Sequence, residues 1–187
     1  MIKRIVLIGG SAGSLQALFR ILDSLRLNYP FPVLLVLHRQ SNQDSMLQDL
    51  LSTRTDLIPR EIEEKDPLKP GYIYICPADY HVLIEKEESF SLDVSEKENF
   101  SRPSLDVVFR SAAEVFTNRV IAVLLSGANA DGAEGLLYVK ELGGLSIVQD
   151  PADAAVSHMP EQALKLFKPD HILSADSIGL LLNELAG

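Results

Sequence analysis

Cysteine is nearly absent from this 187-residue sequence: Cys76 stands alone, which excludes an internal disulfide and fits a reducing compartment. Basic residues are outnumbered, 17 Lys+Arg against 26 Asp+Glu, for a formal net charge of −9. No basic cluster offsets that balance, so a nucleic-acid binder, whose affinity comes from Lys/Arg groups on phosphate, is excluded. Long apolar runs are missing too. The longest, Val120 to Leu125, falls far short of the ~20 residues that cross a bilayer, and the amino terminus has Met1-Ile2-Lys3-Arg4 followed by a run of only four apolar residues before Gly9-Gly10, too short for a signal-peptide core. A cytoplasmic location follows as the expectation, and it leaves the sequon Asn99-Phe100-Ser101 idle. Low-complexity tracts, internal repeats and a Gly/Pro-rich linker are likewise absent.

What is present is ordinary globular material, 47% apolar and 23% charged. At this length one domain spanning residues 1–187 is expected, large enough to bury about 70% of its unfolded surface without disulfide or metal. Short apolar runs alternate with helical periods. Ile5 to Ile8 precedes Leu15, Leu18, Phe19 and Leu22; Val33 to Leu37 precedes Met46, Leu47, Leu50 and Leu51. Val107 to Phe116 precedes Val120 to Leu125, then Ala133 to Leu142, Leu145 to Val148, Ile172-Leu173 and Ile178 to Leu185. Strands buried on both faces between helices predict an α/β fold: a doubly wound, mostly parallel sheet with helices on both faces. Pro67 to Leu92, with Tyr72 to Ile75, Val82 to Ile84 and Phe90 to Leu92 between turn residues, reads as a small antiparallel hairpin or meander inserted in it.

In such a sheet, ligands bind beyond the carboxyl ends of the strands, so reactive side chains that directly follow an apolar run are the informative ones. Ser11 comes three residues after Ile8, His38 directly after Leu37, and Asp131 lies in the loop that follows Val120 to Leu125. A hydroxyl, an imidazole and a carboxylate delivered to one rim form the set of an activated nucleophile. Gly9-Gly10-Ser11-Ala12-Gly13 also has the small neighbours of a strand-to-helix nucleophile elbow, with the Ala12 N–H placed to face an oxyanion at a helix start. Plainer readings exist for each: a glycine-rich turn, a structural strand-end histidine, an Asp131 N-cap. A dinucleotide fingerprint is disfavoured, because Ser11 and Ser14 stand where glycines are required. The four histidines have no zinc spacing, and Asn129-x-Asp131-Gly132 fails as a calcium loop, since Gly127 and Tyr138 occupy its first and twelfth ligand positions. No metal and no cofactor are expected.

At these residues the sequence resembles the catalytic domain of the CheB-type protein-glutamate methylesterases. The matching segments are Ile8 to Gly13, Val36-Leu37-His38-Arg39, Arg102 to Asp106, Leu124 to Gly127 continuing through Asp131 to Gly135, and Gly143-Gly144 to Asp150. Pro70 to Tyr74 with Tyr80-His81, and Met159-Pro160, match in order as well. The resemblance implies Ser11 as nucleophile, His38 as general base and Asp131 as third member, with backbone N–H groups of Ala12 and Ala128 as oxyanion donors. Gly10, Gly13, Arg39, His81 and Met159, all inside matching segments, are the candidates for the substrate cleft. It further implies γ-glutamyl methyl esters on cytoplasmic helices of methyl-accepting chemotaxis receptors as substrate, with deamidation of receptor glutamines as a further activity. Three departures stand out: Ala128 where the family often has Met, Ser14 for a common Gly, and only ten residues ahead of Ser11. The last leads to the expectation of no fused receiver domain on this chain, leaving a separate regulator open. Two other readings stay open: a small-molecule serine esterase recruiting Asp131 or Asp150 with His158 or His171, and a non-catalytic module binding a receptor or signalling partner.

Overall fold

The computed structural model describes residues 2–38 and 44–187. The first apolar run becomes strand β1 (Ile5–Gly10), wholly buried, followed by helix α1 (Ser14–Ser24). Strand β2 (Val33–Leu37) leads to helix α2 (Asp44–Ser52), and short strands β3 (Ile58–Glu61) and β4 (Tyr72–Ile75) follow. A hairpin of β5 (His81–Ile84) and β6 (Phe90–Asp93) precedes helix α3 (Leu105–Phe116). The remainder alternates regularly: β7 (Val120–Leu124), α4 (Ala133–Glu141), β8 (Leu145–Gln149), α5 (His158–Leu166), β9 (His171–Leu173) and α6 (Ala175–Ala186).

Seven strands form one parallel sheet in the order β3-β4-β2-β1-β7-β8-β9. Pleating sends alternate residues of β1 to opposite faces. Ile5 and Leu7 join the apolar cluster made with α3, α4 and α5, whereas Val6 and Ile8 join the one made with α1, α2 and α6. Helix α3 shows how a covering element is held. Val108, Phe109, Ala112, Ala113 and Phe116 form a fully buried stripe at helical spacing, and each large side chain removed from water stabilises the fold by roughly 1.5–3 kcal/mol. The expected doubly wound parallel sheet is the observed one.

The insertion is smaller than the sequence suggests. Tyr72 to Ile75 is not part of an antiparallel meander: as β4 it pairs parallel with β2 through Ile73–Val33 and Ile75–Leu35. Strands β5 and β6 pair antiparallel as a separate two-stranded sheet lying on α3, where the Ile84 N–H donates to Ser111 Oγ at 2.7 Å. Winding reverses at β1: the chain first builds outward on one side through β2, β4 and β3, then returns to the other side of β1 to add β7, β8 and β9. The crevice at such a switch point, at the carboxyl ends of the strands, is where an open sheet places its ligand site.

Candidate active site

Ser11 is the first residue beyond β1, and its backbone leaves little freedom. Its N–H donates to Ser126 O at 2.9 Å, in the loop after β7, and its carbonyl accepts from both the N–H and the hydroxyl of Ser14, at 3.1 and 2.7 Å. Gly13 then turns the chain into α1 with φ +76°, a left-handed conformation in which a side chain is costly, and a Cβ there would lie 2.7 Å from that of Ala155. The Ser14 side chain is buried beneath this turn on the Ser11 carbonyl, so the departure from glycine braces the elbow instead of projecting toward an incoming chain.

His38 leaves β2 one strand away, with its N–H on Gly10 O at 3.3 Å. Its Nε2 lies 2.7 Å from Asp131 Oδ2. An ionised carboxylate only accepts, so Nε2 carries a proton, and in the neutral imidazole Nδ1 is left with the lone pair. Ser11 and His38 share the wall of a cavity of about 370 Å³ completed by Gly13, Ser14, Leu15, Leu37 and, from α2, Met46, Leu47 and Leu50. Among the described residues no hydrogen bond joins the Ser11 hydroxyl to the imidazole, although both residues line this one cavity.

Asp131 has no exposed side-chain surface, and its carboxylate is saturated with donors. Besides His38, Oδ2 accepts the Leu105 N–H at 2.7 Å, while Oδ1 accepts the Ser104 hydroxyl at 2.8 Å and the Asp106 N–H at 3.1 Å. The carboxylate therefore sits on the amino terminus of α3, where unpaired N–H groups and the helix dipole favour negative charge. Burial works against its ionised form, but the hydrogen bonds from His38, Leu105, Ser104 and Asp106 outweigh it and hold the carboxyl below its usual range. Asp131 is thus not the N-cap of its own helix: Gly132, with φ +97°, is the N-cap of α4, and Asp131 caps α3 from outside.

A second buried carboxylate stands behind it. Asp106 accepts the Gly135 N–H at 2.6 Å and the Asn99 amide at 2.8 Å; Asn99 also reaches Asp131 Oδ1 at 3.4 Å. Burial pushes the Asp106 carboxyl up to about 7, opposed by the Gly135 N–H and reinforced by the Asp131 charge. Sequence reasoning passed over Ser104, Asp106 and Asn99. A signal existed for the first: a Ser before Leu105, Val108 and Phe109 marks a helix start, and Ser104 Oγ indeed accepts the Val107 N–H.

The two expected oxyanion donors lie at the surface of their loops. Ala12 and Ala128 are both exposed, and among the described residues neither N–H is given to another group of the chain. Ser126 Oγ locks their two loops together, bonding Ala12 O at 2.8 Å and receiving the Val156 N–H at 2.8 Å.

Among the described residues, Gly13 is the one cleft candidate that lines the cavity. Gly10 is buried at the end of β1, where a Cβ would meet Ser14. His81 is buried as well, not at the rim: its Nδ1 accepts the Ser104 N–H at 3.2 Å and its Nε2 donates to Glu96 O at 2.9 Å, so it braces the start of α3. Met159 is a core residue packed on Gly127, where a Cβ would come within 2.6 Å of its sulfur; it supports the loop before Asp131 and is shut off from the cleft. Arg39 lies outside the described residues. The alternative partners are not gathered at Ser11. His171 is at the amino end of β9, on the opposite edge, His158 opens α5, and Asp150 Oδ1 accepts the Ala152 N–H. Among the described residues no group of three or more His, Cys, Asp or Glu could hold a metal ion, and no helix is long and apolar enough to cross a membrane.

Comparison with known proteins adds to this geometry. The profile of the CheB methylesterase family matches residues 6–182. A Leptospira interrogans protein named "Putative protein-glutamate methylesterase/protein-glutamine glutaminase" is 41% identical over 180 residues, covering 96% of this chain and 93% of its own. The protein-glutamate methylesterase/protein-glutamine glutaminase of Thermotoga maritima is 34% identical over 185 residues, 97% of this chain and 54% of that one. The crystal structure of the Thermotoga maritima CheB methylesterase catalytic domain superposes with a TM-score of 0.94 at 34% identity, covering 99% of this chain and all of that one.

Proposed function

Since the chain belongs to the CheB methylesterase family, we propose that it hydrolyses γ-glutamyl methyl esters of proteins to glutamate and methanol, with Ser11 as nucleophile, His38 as general base and Asp131 as the group that orients and stabilises the imidazolium. The observation that carries this reading is the 2.7 Å contact of His38 Nε2 with a buried, donor-saturated Asp131 carboxylate, beside a cavity whose wall also holds Ser11. With Nε2–H committed to the carboxylate, Nδ1 is the nitrogen that takes the Ser11 proton as Oγ attacks the ester carbonyl. The free N–H groups of Ala12 and Ala128 stabilise the oxyanion. Donors of this kind are each worth roughly 10²–10³ in turnover, and a backbone donor is retained whether residue 128 is Met or Ala. Collapse of the tetrahedral intermediate expels methoxide, which leaves as methanol with the proton from Nδ1. Water then gives a proton to Nδ1 and attacks the acyl-enzyme, and Ser11 recovers its hydrogen as glutamate is released.

The same steps applied to a glutamine side chain release ammonia, the second activity in the relatives' names. Methyl-accepting chemotaxis receptors are the substrate we assign, acting through their cytoplasmic helices. The aliphatic wall of Leu15, Leu37, Met46, Leu47 and Leu50 beside Ser11 suits the apolar face of such a helix, and a chain of net charge −9 gains no long-range steering toward an acidic receptor, so docking rests on these local contacts. Methanol release from a methylated receptor fragment tests the reading. Ser11→Ala is expected to lower turnover roughly 10⁴–10⁶-fold; release within about tenfold of the parent rate would refute it.

A further inference from the structure

Asn129 stands between the proposed oxyanion donor Ala128 and the proposed triad member Asp131, and its amide is oriented by the chain itself. Oδ1 accepts the Asp131 N–H at 3.2 Å, closing an Asx-type turn. That contact fixes which end of the amide is which, so the NH₂ end faces the imidazole, with Nδ2 at 3.4 Å from His38 Nδ1. Nδ1 carries the lone pair, because Nε2–H is committed to Asp131. A chain of donors thus runs from Asn129 through the imidazole to Asp131, and both ring nitrogens of His38 are engaged while the Ser11 hydroxyl is not bonded to either. The distance is at the long end for a hydrogen bond, so the contact is weak enough for a competing hydroxyl to displace.

We propose that Asn129 is a positioning residue that latches the general base: its amide occupies the Nδ1 lone pair in the resting enzyme and must yield that lone pair to the Ser11 hydroxyl before each attack. The inference rests on the assignment of Ser11 and His38 above. The exchange conserves hydrogen bonds to Nδ1, one N–H donor leaving as one O–H donor arrives. Once Nδ1 takes the proton, the facing NH₂ can no longer donate to it and opposes the new N–H dipole, so the latch stays open until the proton passes to the leaving group.

The experiment measures the second-order rate at which a fluorophosphonate modifies Ser11, beside kcat and KM for methanol release, across pH. Asn129→Ser keeps a short oxygen able to accept the Asp131 N–H but has no amide for the imidazole. It is expected to label roughly three- to tenfold faster, the range one ordinary hydrogen bond allows, with kcat rising and KM unchanged. Asn129→Asp keeps the turn oxygen and presents a carboxylate to the ring. It should hold a proton on Nδ1, slow labelling by at least about tenfold and move the acid limb of the rate to higher pH. Thermal unfolding of both variants identifies any loss of fold, and the labelling rate is read on the folded fraction. Labelling of Asn129→Ser at or below the parent rate overturns the latch, as does an Asn129→Asp variant with the parent pH profile. Failure of the underlying assignment looks different: the parent protein itself would then take no label at Ser11.

Discussion

At the residue scale the site is governed by how buried charge is compensated. Asp131 and Asp106 are both sealed from water within one turn of the start of α3, and their fates differ because their donors differ. Asp131 collects the imidazole, a hydroxyl and two backbone N–H groups and stays ionised; Asp106 accepts, among the described residues, from Gly135 and Asn99, and its carboxyl rises to about 7. The consequences for stability have opposite signs. Between the ordinary carboxylate range near 4 and about 7, folded Asp106 keeps a proton that the unfolded chain has given up, so stability falls as pH rises through that window and the cost is complete above it. For Asp131 the stabilisation is present above about 4 and is lost as pH falls through its lowered value. Asp106→Asn is therefore expected to flatten the decline in unfolding free energy between pH 5 and 8. Urea titrations at several pH values check this; an unchanged slope in the variant would remove the physical account of Asp106. These two carboxylates also show the reach of sequence reading. Asp131 could be singled out because it follows a strand run. Asp106 looks like any first-turn helix acid until its neighbours across the fold are known, and His81 and Met159 looked available only because burial is not written in local sequence.

At the element scale the same division holds between what is local and what is not. Fully apolar runs such as Ile5 to Ile8 and Val120 to Leu124 declare central parallel strands, since only an element covered on both faces tolerates them. Strand β3 is an edge element with Pro59, Arg60 and Glu61 in four residues and an exposed Ile58, so no such run marks it. Helix α5 hides behind Pro160, which reads as a breaker but falls in the first turn, where its missing N–H has no intrahelical partner to lose. Strand β4 has the alternation of a hairpin strand; its parallel partner β2 lies more than thirty residues back, and local pattern carries no information on that choice. The elbow between β1 and α1 carries the proposed nucleophile. Gly13→Ala places a Cβ at φ +76° and against Ala155 and Ser126 Oγ. We expect a loss of about 1–3 kcal/mol in stability, seen as a lower Tm, and a larger proportional loss in kcat than in KM, because the strain falls on the segment that aims Ser11. A variant with native Tm and native kcat would show that the elbow tolerates a left-handed alanine.

At the scale of the whole molecule, the doubly wound sheet accounts for the site. Three strands adjacent at the switch point, β2, β1 and β7, lead into the segments that carry the three side chains: Ser11 and His38 directly follow β1 and β2, and Asp131 lies in the loop after β7. Helix α3, arriving from the far side with its amino terminus on Asp131, fixes the third of them. The central claim is that this convergence makes Ser11 a nucleophile through His38. Mass mapping of the fluorophosphonate adduct tests it most directly. A single adduct on the peptide carrying Ser11, absent in Ser11→Ala and formed roughly 10³-fold or more slowly in His38→Gln, is the predicted result. An adduct on a different hydroxyl, or undiminished labelling of Ser11 in His38→Gln, would contradict it.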